Sequence, residues 1–113
     1  MADNLIDIAK SLIPLIQSSL DRIDSERQLP SELASAMAQK HLFGLYVPKE
    51  LGGPETDPIT AFRVVEEIAQ VDGSVGWCVF NGTAVSSAVA RLSPRVAKEI
   101  FGDPPLDLLY LSA

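Results

Sequence analysis

At 113 residues the chain has the length of one domain, enough to close a single hydrophobic core but short for an enzyme that must also enclose a large cofactor. Hydrophobic residues make up 47% and charged residues 21%, a globular balance that excludes intrinsic disorder. The formal net charge of -6, with Lys and Arg scattered along the chain, argues against nucleic acid as a partner.

Apolar residues at Leu5, Ile8, Ala9, Leu12, Leu15, Ile16, Leu20 and Ile23 keep the three-and-four spacing of one helix face, with Asp7, Lys10, Gln17, Asp21 and Arg22 opposite. This predicts a first helix from about Asp3 to Glu26, bent where Pro14 removes an internal hydrogen bond. Leu29-Pro30-Ser31-Glu32 reads as the next helix start, with Pro30 at the first helical position and Glu32 complementing the positive end of the dipole. That short second helix is predicted to end near His41. Between Leu42 and Asp57, the residues Gly44, Pro48, Gly52, Gly53 and Pro54 forbid a continuous helix, so a long structured loop is expected, briefly extended at Leu45-Tyr46-Val47.

Asp57-Pro58 opens the third helix, with Asp57 as cap; Ala61, Phe62, Val65, Ile68 and Ala69 are expected on its apolar face and Arg63, Glu66, Glu67 and Gln70 on its wet one. Gly73 interrupts it and Ser74 is placed to cap a fourth helix. Because Gly73 to Ala90 carries no charge, this helix is predicted to be buried on nearly all sides and to form the centre of the fold. Asn81-Gly82 inside it is a turn signal that competes with continuity. Ser74, Asn81, Thr83, Ser86 and Ser87 make the same stretch too polar for a lipid-facing span. Ser93-Pro94 caps a fifth helix, Arg95 to Phe101, stopped by Gly102-Asp103-Pro104-Pro105, and Leu106 to Leu111 then reads as an apolar strand without a partner in the chain.

Chemistry-bearing motifs are sparse. His41 is the only histidine and has no acid-base or ligand partner nearby in sequence, so a catalytic role and a metal site are both unsupported. Cys78, the lone cysteine, cannot form an internal disulfide and sits among Trp77, Val79 and Phe80 as a small hydrophobe. Glu66 and Glu67 read as solvated surface charge. Asn81-Gly82-Thr83 matches the glycosylation pattern, but the start MADNLIDIAK is acidic where a secretion signal would be basic, so the match is set aside and a cytoplasmic location is the expectation. Leu51-Gly52-Gly53-Pro54 suits a plain turn or a backbone approaching a ligand. Trp77, with Phe80, Ala84 and Ala88 following at helical spacing, suits either core packing or the wall of an apolar pocket; spacing does not separate the two.

The ordered series Ile23-Asp24-Ser25-Glu26-Arg27-Gln28-Leu29-Pro30, then Leu42-Phe43-Gly44-Leu45-Tyr46-Val47-Pro48-Lys49-Glu50-Leu51-Gly52-Gly53, then Val64-Val65-Glu66-Glu67-Ile68-Ala69 and Asp72-Gly73-Ser74-Val75-Gly76-Trp77 resembles the N-terminal domain of the acyl-CoA dehydrogenase family, above all the branch that includes two-component flavin monooxygenases. The resemblance implies an all-α domain of about five helices in an orthogonal, bundle-like arrangement over residues 1–105, with residues 106–113 entering a central β domain that a C-terminal helical bundle follows. It further implies a homotetramer, FAD or FMN in the full-length protein with none bound by this chain alone, and an acyl-CoA or aromatic small-molecule substrate. The family's catalytic base and most of its flavin site lie beyond this chain, so no catalytic residue is assigned. What carries over is pocket wall: Trp77, Phe80, Asn81 and Ala84, with Pro48, Gly52 and Gly53 as the loop near the ligand. Several monooxygenase relatives place a histidine about two turns after the tryptophan, where this chain has Val85, which weighs against hydroxylation.

Three functions follow as expectations: the helical domain of a dehydrogenase-like flavoprotein, the same domain of a two-component aromatic hydroxylase, and a non-catalytic helical interaction module. A domain separated from a β partner is also expected to leave apolar surface uncovered and to self-associate.

Overall fold

The computed structural model describes residues 2–89 and 91–101, with side chains from Leu5 to Ala88 and from Arg91 to Ile100. The regular elements among the described residues are all helical: α1 Ala2–Ser11, α2 Ile13–Glu26, α3 Ser31–Gln39, a 3-10 turn Lys49–Leu51, α4 Pro58–Ala69, α5 Gly73–Val89 and α6 Pro94–Phe101. The all-α expectation holds, and the five predicted helices become six because the first divides. The strand expected at 106–111 and the stop at 102–105 lie outside the described residues.

The division falls at Leu12, just before Pro14, which occupies the first turn of α2. Proline cannot donate to the carbonyl four residues back and its ring crowds that carbonyl, so the long helix ends rather than bends. Leu12 N donates to Ala9 O at 3.2 Å in a tightened turn, and Ile16 N donates to Leu12 O at 3.0 Å to start the next helix. The apolar stripe survives the break: Leu5, Ala9, Leu12, Ile16 and Ile23 are all buried. α1 packs on α4, and α2 on both α1 and α3. Arg22 ties α2 to α3 at the surface, donating to Glu26 at 3.2 Å and to Glu32 at 2.8 Å. Those two carboxylates raise its pKa further above the ordinary guanidinium value.

Helix α3 ends at Gln39, two residues short of the expected point, because His41 takes a left-handed backbone (φ 64°) that a helix cannot contain. Pro30 sits just outside α3, with φ -55° and ψ 144°, and not at its first helical position. The segment after His41 is not a surface loop. Leu42, Phe43, Leu45, Val47 and Leu51 are buried, and Phe43, Leu42 and Leu45 are among the most completely enclosed side chains. No strand forms among the described residues, but Leu45 O and Val47 O accept from Thr56 N at 2.8 Å and Glu55 N at 2.9 Å, closing the segment on itself. It then leans on α5: Tyr46 N donates to Ser86 Oγ at 3.2 Å, and the Ser86 hydroxyl donates to Thr83 O at 2.6 Å.

α4 is capped as expected. Asp57 accepts from Thr60 N at 3.0 Å and from the Thr60 hydroxyl at 2.7 Å. The expected inner face needs correction: Thr60, Ala61, Val64 and Ile68 are buried, while Phe62 and Ala69 are exposed. Val64 had no place in the predicted stripe, yet it lies one turn from both Ala61 and Ile68 and so fixes the face. α5 is continuous through Asn81-Gly82. Its cap is Asp72, not Ser74: Val75 N donates to Asp72 Oδ2 at 3.0 Å, and the Ser74 hydroxyl donates to the same oxygen. Ser93 stands just before α6, its carbonyl accepting from Ala97 N at 2.9 Å, and the helix packs its buried Ala97 side near the 3-10 turn.

Glycine explains how α5 comes so close to its neighbours. A Cβ on Gly82 would lie 2.6 Å from Phe43 O and 2.9 Å from Phe43 Cβ, and one on Gly76 would lie 2.6 Å from the Ala69 side chain. The helix therefore passes directly over α4 and over the backbone of the 42–47 segment. A Gly82→Leu substitution is expected to lower stability by about 1–3 kcal/mol through overpacking, read as an earlier urea midpoint, whereas Gly73→Ala, where an added Cβ meets nothing within 4 Å, should be neutral or slightly stabilising. Equal midpoints for the two variants would refute the close crossing.

The cap at Asp57 makes a second prediction. Its bonds to Thr60 hold the carboxyl pKa below the ordinary value of 3.8. A group depressed in the folded state contributes stability that is present above its unfolded pKa and lost as pH falls through the folded one. Acid titration of wild type should show this loss. Asp57→Asn keeps an accepting oxygen and should flatten that part of the profile, while Asp57→Ala should lower stability at neutral pH as well.

Candidate functional site

Helix α5 has two faces, and the sequence hides this because neither carries charge. Val75, Gly76, Val79, Gly82, Thr83 and Ser86 point inward. Trp77, Phe80, Ala84 and Ala88 are exposed and follow one another at helical spacing, with Asn81 and Ser87 half-buried alongside. The prediction of a helix enclosed on nearly all sides is therefore corrected: the absence of charge marks two apolar faces, only one of which this chain covers.

The exposed face is aromatic. Trp77 is 59% and Phe80 51% exposed, far from the core packing that tryptophan usually finds. Their ring centroids are 5.7 Å apart at a 31° tilt, so together they make a continuous apolar platform. Asn81 supplies the neighbouring amide. Three of the four expected wall residues, Trp77, Phe80 and Ala84, share the open face, and Asn81 flanks it. Further exposed apolar residues, Ile59 and Phe62, stand one turn apart on α4.

On its α2 side, Trp77 borders a groove of about 470 Å³. Leu20, Ile23, Asp24, Arg27, Gln28 and Leu29 from α2 and the link to α3 form one bank, and Asp72, Ser74, Trp77 and Cys78 form the other. Arg27 lies where α2 stops, in a left-handed backbone (φ 55°) with its N–H bonded back to Ile23 O at 2.9 Å. Cys78 is half-buried, and that burial, with the Asp72 charge second, pushes its thiol pKa above the ordinary value. That direction disfavours the thiolate, the nucleophilic form of cysteine. The sequence reading missed this groove. Its two banks are some fifty residues apart, and the only local trace is that the apolar stripe of α2 continues through Leu20 and Ile23 to the helix end.

The loop positions behave differently. Pro48 precedes the 3-10 turn, and Gly52 ends it with φ 85°, a left-handed conformation in which glycine is favoured. Gly53 N donates to Pro48 O at 3.0 Å, and a Cβ at Gly53 would collide with Val47. Both glycines thus serve the folding of the loop itself. None of Pro48, Gly52 and Gly53 lines the groove beside Trp77. Among the described residues no group of three or more His, Cys, Asp or Glu side chains is placed to hold a metal ion, and no helix is long and apolar enough to cross a membrane. Glu66 is exposed on α4 and Glu67 half-buried, while His41 serves a turn, its carbonyl accepting from Gly44 N at 3.1 Å.

Sequence comparison adds relatives to this geometry. The chain is 27% identical over 104 residues to the oxygenase subunit HsaA of a flavin-dependent monooxygenase from Mycobacterium tuberculosis, a match covering 92% of this chain and 26% of the relative. It is 28% identical over 89 residues to an indole-3-acetate monooxygenase from Pseudomonas putida, covering 79% of this chain and 23% of that protein. A probable acyl-CoA dehydrogenase, fadE25, from Mycobacterium leprae is 28% identical over 79 residues, 69% of this chain and 20% of that one. The chain thus spans about a quarter of the length of the curated relatives it matches. The model of the family described as acyl-CoA dehydrogenase, N-terminal domain, matches residues 8–101, nearly all of the described helices, and the chain belongs to that family.

Proposed function

We infer that this chain works as the helical domain of a flavin-dependent oxidoreductase of the acyl-CoA dehydrogenase type, with the open face of α5 as one wall of the substrate pocket. The observation that carries this reading is the pair of exposed rings, Trp77 and Phe80, on a helix face without charge. Covering a side chain of that size contributes roughly 2 kcal/mol, so a face built this way favours being closed over by substrate or by protein. In this reading Trp77, Phe80, Asn81 and Ala84 contact the substrate. Pro48, Gly52 and Gly53 shape a loop near it without supplying any reacting group. The domain closes near residue 105, residues 106–113 lead into a central β domain, and the whole assembles as a homotetramer in the cytoplasm.

The flavin, FAD or FMN, belongs to the full-length protein. When bound, it supplies the two-electron chemistry, accepting a hydride in a dehydrogenase or activating oxygen in a monooxygenase. The residues of this chain exclude water on one side and orient the substrate. In this reading none of them supplies acid, base or nucleophile. A second reading, a two-component aromatic hydroxylase, is favoured by the monooxygenases named among the relatives with the widest coverage. Val85, where such relatives carry histidine by resemblance, weighs against it.

Flavin titration followed by fluorescence and absorbance tests the reading. The full-length protein is expected to bind flavin and this chain alone is not; if neither binds, the enzyme reading fails and a helical interaction module replaces it. Oxygen-dependent hydroxylation by the full-length protein would favour the second reading over dehydrogenation.

The uncovered face also bears on solution behaviour. This chain alone is expected to self-associate with rising concentration, and the double substitution Trp77→Ser with Phe80→Ser should reduce that association in sedimentation velocity. A wild-type chain that stays monomeric throughout would count against α5 as an uncovered wall.

A further inference from the structure

Helix α4 is held by its neighbours and open on its outer side. It packs on α1 and on α5, with Thr60, Ala61, Val64 and Ile68 buried. Away from these, Ile59, Phe62, Arg63, Glu66, Ala69 and Gln70 are all exposed, and their three-and-four spacing keeps them on one stripe of the helix. Ile59 is 70% and Phe62 69% exposed, more open than Trp77 and Phe80, and neither belongs to the substrate wall on α5.

The stripe is graded along its length. It begins with two large apolar side chains, Ile59 and Phe62, and continues with one charge of each sign, Arg63 and Glu66. It ends small, at Ala69 and then Gly73, where an added Cβ meets nothing within 4 Å. Residues three apart on a helix can pair, yet Arg63 and Glu66 form no ion pair with each other or with another described residue.

Such an order of sizes and charges complements itself when reversed. If two copies of α4 meet antiparallel about a two-fold axis between residues 64 and 65, Arg63 of each copy faces Glu66 of the other. The same register lays Ile59 and Phe62 of each copy over the small end of the other, at Ala69 and Gly73. A parallel pairing would instead set Arg63 beside Arg63 and Glu66 beside Glu66, where like charges repel.

We propose that the α4 stripe docks a second copy of this chain as a two-fold dimer, with Ile59 and Phe62 as apolar anchors and Arg63 and Glu66 setting the register. The surface uses neither the α5 face nor flavin, so it stands or falls independently of the function inferred for the domain.

Sedimentation equilibrium separates this surface from the α5 face. The chain tested is the full 113 residues with Trp77→Ser and Phe80→Ser, which removes the aromatic platform of α5 and leaves α4 as it is. It is expected to form dimers and nothing larger, because a two-fold contact closes. A contact of one helix per copy suits a dissociation constant on the order of 100 µM. In that background Arg63→Glu and Glu66→Arg should each weaken dimerisation about ten-fold. An equimolar mixture of the two variants should dimerise as tightly as the unreversed chain, and so should the double reversal. The mixture decides the matter, since an effect inside one helix cannot be repaired by another chain. Phe62→Ser should weaken the dimer further while leaving the urea midpoint unchanged. A chain that stays monomeric up to about 1 mM, single reversals without effect, a mixture no tighter than either variant alone, or species larger than a dimer would each overturn the proposal.

Discussion

The structure depends on one crossing, the passage of the 42–47 segment over helix α5 at Gly82. Because Gly82 has no side chain, the Phe43 backbone can lie against the helix, and the next residues gain a hydrogen bond from Tyr46 N to Ser86 Oγ. That contact turns a stretch rich in glycine and proline into core. Leu42, Phe43, Leu45 and Val47 fill the space between helices that are too short to close it themselves. Their backbone groups would be costly to bury unpaired. The bonds from Glu55 N and Thr56 N to Val47 O and Leu45 O remove that cost for two of the carbonyls.

The same crossing orients α5 and so decides which of its faces remains open. With Gly82 and Ser86 held by the loop, and Gly76 against Ala69 of α4, rotation of the helix is fixed from two sides. Trp77, Phe80 and Ala84 then have no position except outward. The inner face also buries a Thr83 hydroxyl that has no hydrogen-bond partner in the structure, a cost that the close packing at Gly82 and Gly76 outweighs. An exposed Trp-Phe pair is thus a consequence of core geometry, and it is also the feature that any function of the domain must use or cover.

Much of this was legible in the sequence, and the misses have physical reasons. The stripe from Leu5 to Ile23, the Asp57 cap and the start of α6 are local patterns, and each appears where the spacing places it. Pro14 was read as a bend and proved a break, because its missing donor and its ring act on the same turn. The α4 face was misassigned through Phe62: size suggested the core, but the position one turn from Ile59 belongs to the outside, and Val64 lies inside. α5 was the harder case. A helix without charge has no moment to reveal an orientation, so burial on all sides and apolar exposure on one side give the same string. Periodicity leaves core and pocket equally open for Trp77, Phe80, Asn81 and Ala84; in the structure Trp77, Phe80 and Ala84 are exposed and Asn81 is half-buried beside them. The groove escaped periodicity as well, because Leu20 and Cys78 meet only in three dimensions.

Trp77 joins the two surfaces. Trp77 pairs with Phe80 on the open face of α5 and also lines the groove toward α2. The two surfaces rest on different supports: the face on the Gly82 and Gly76 crossings, the groove on the turn at Arg27 and on the Asp72 cap that fixes where α5 begins. Loss of the cap would loosen the first turn of α5, where Ser74 lines the groove, before it disturbed Phe80 or Ala84 further along the helix.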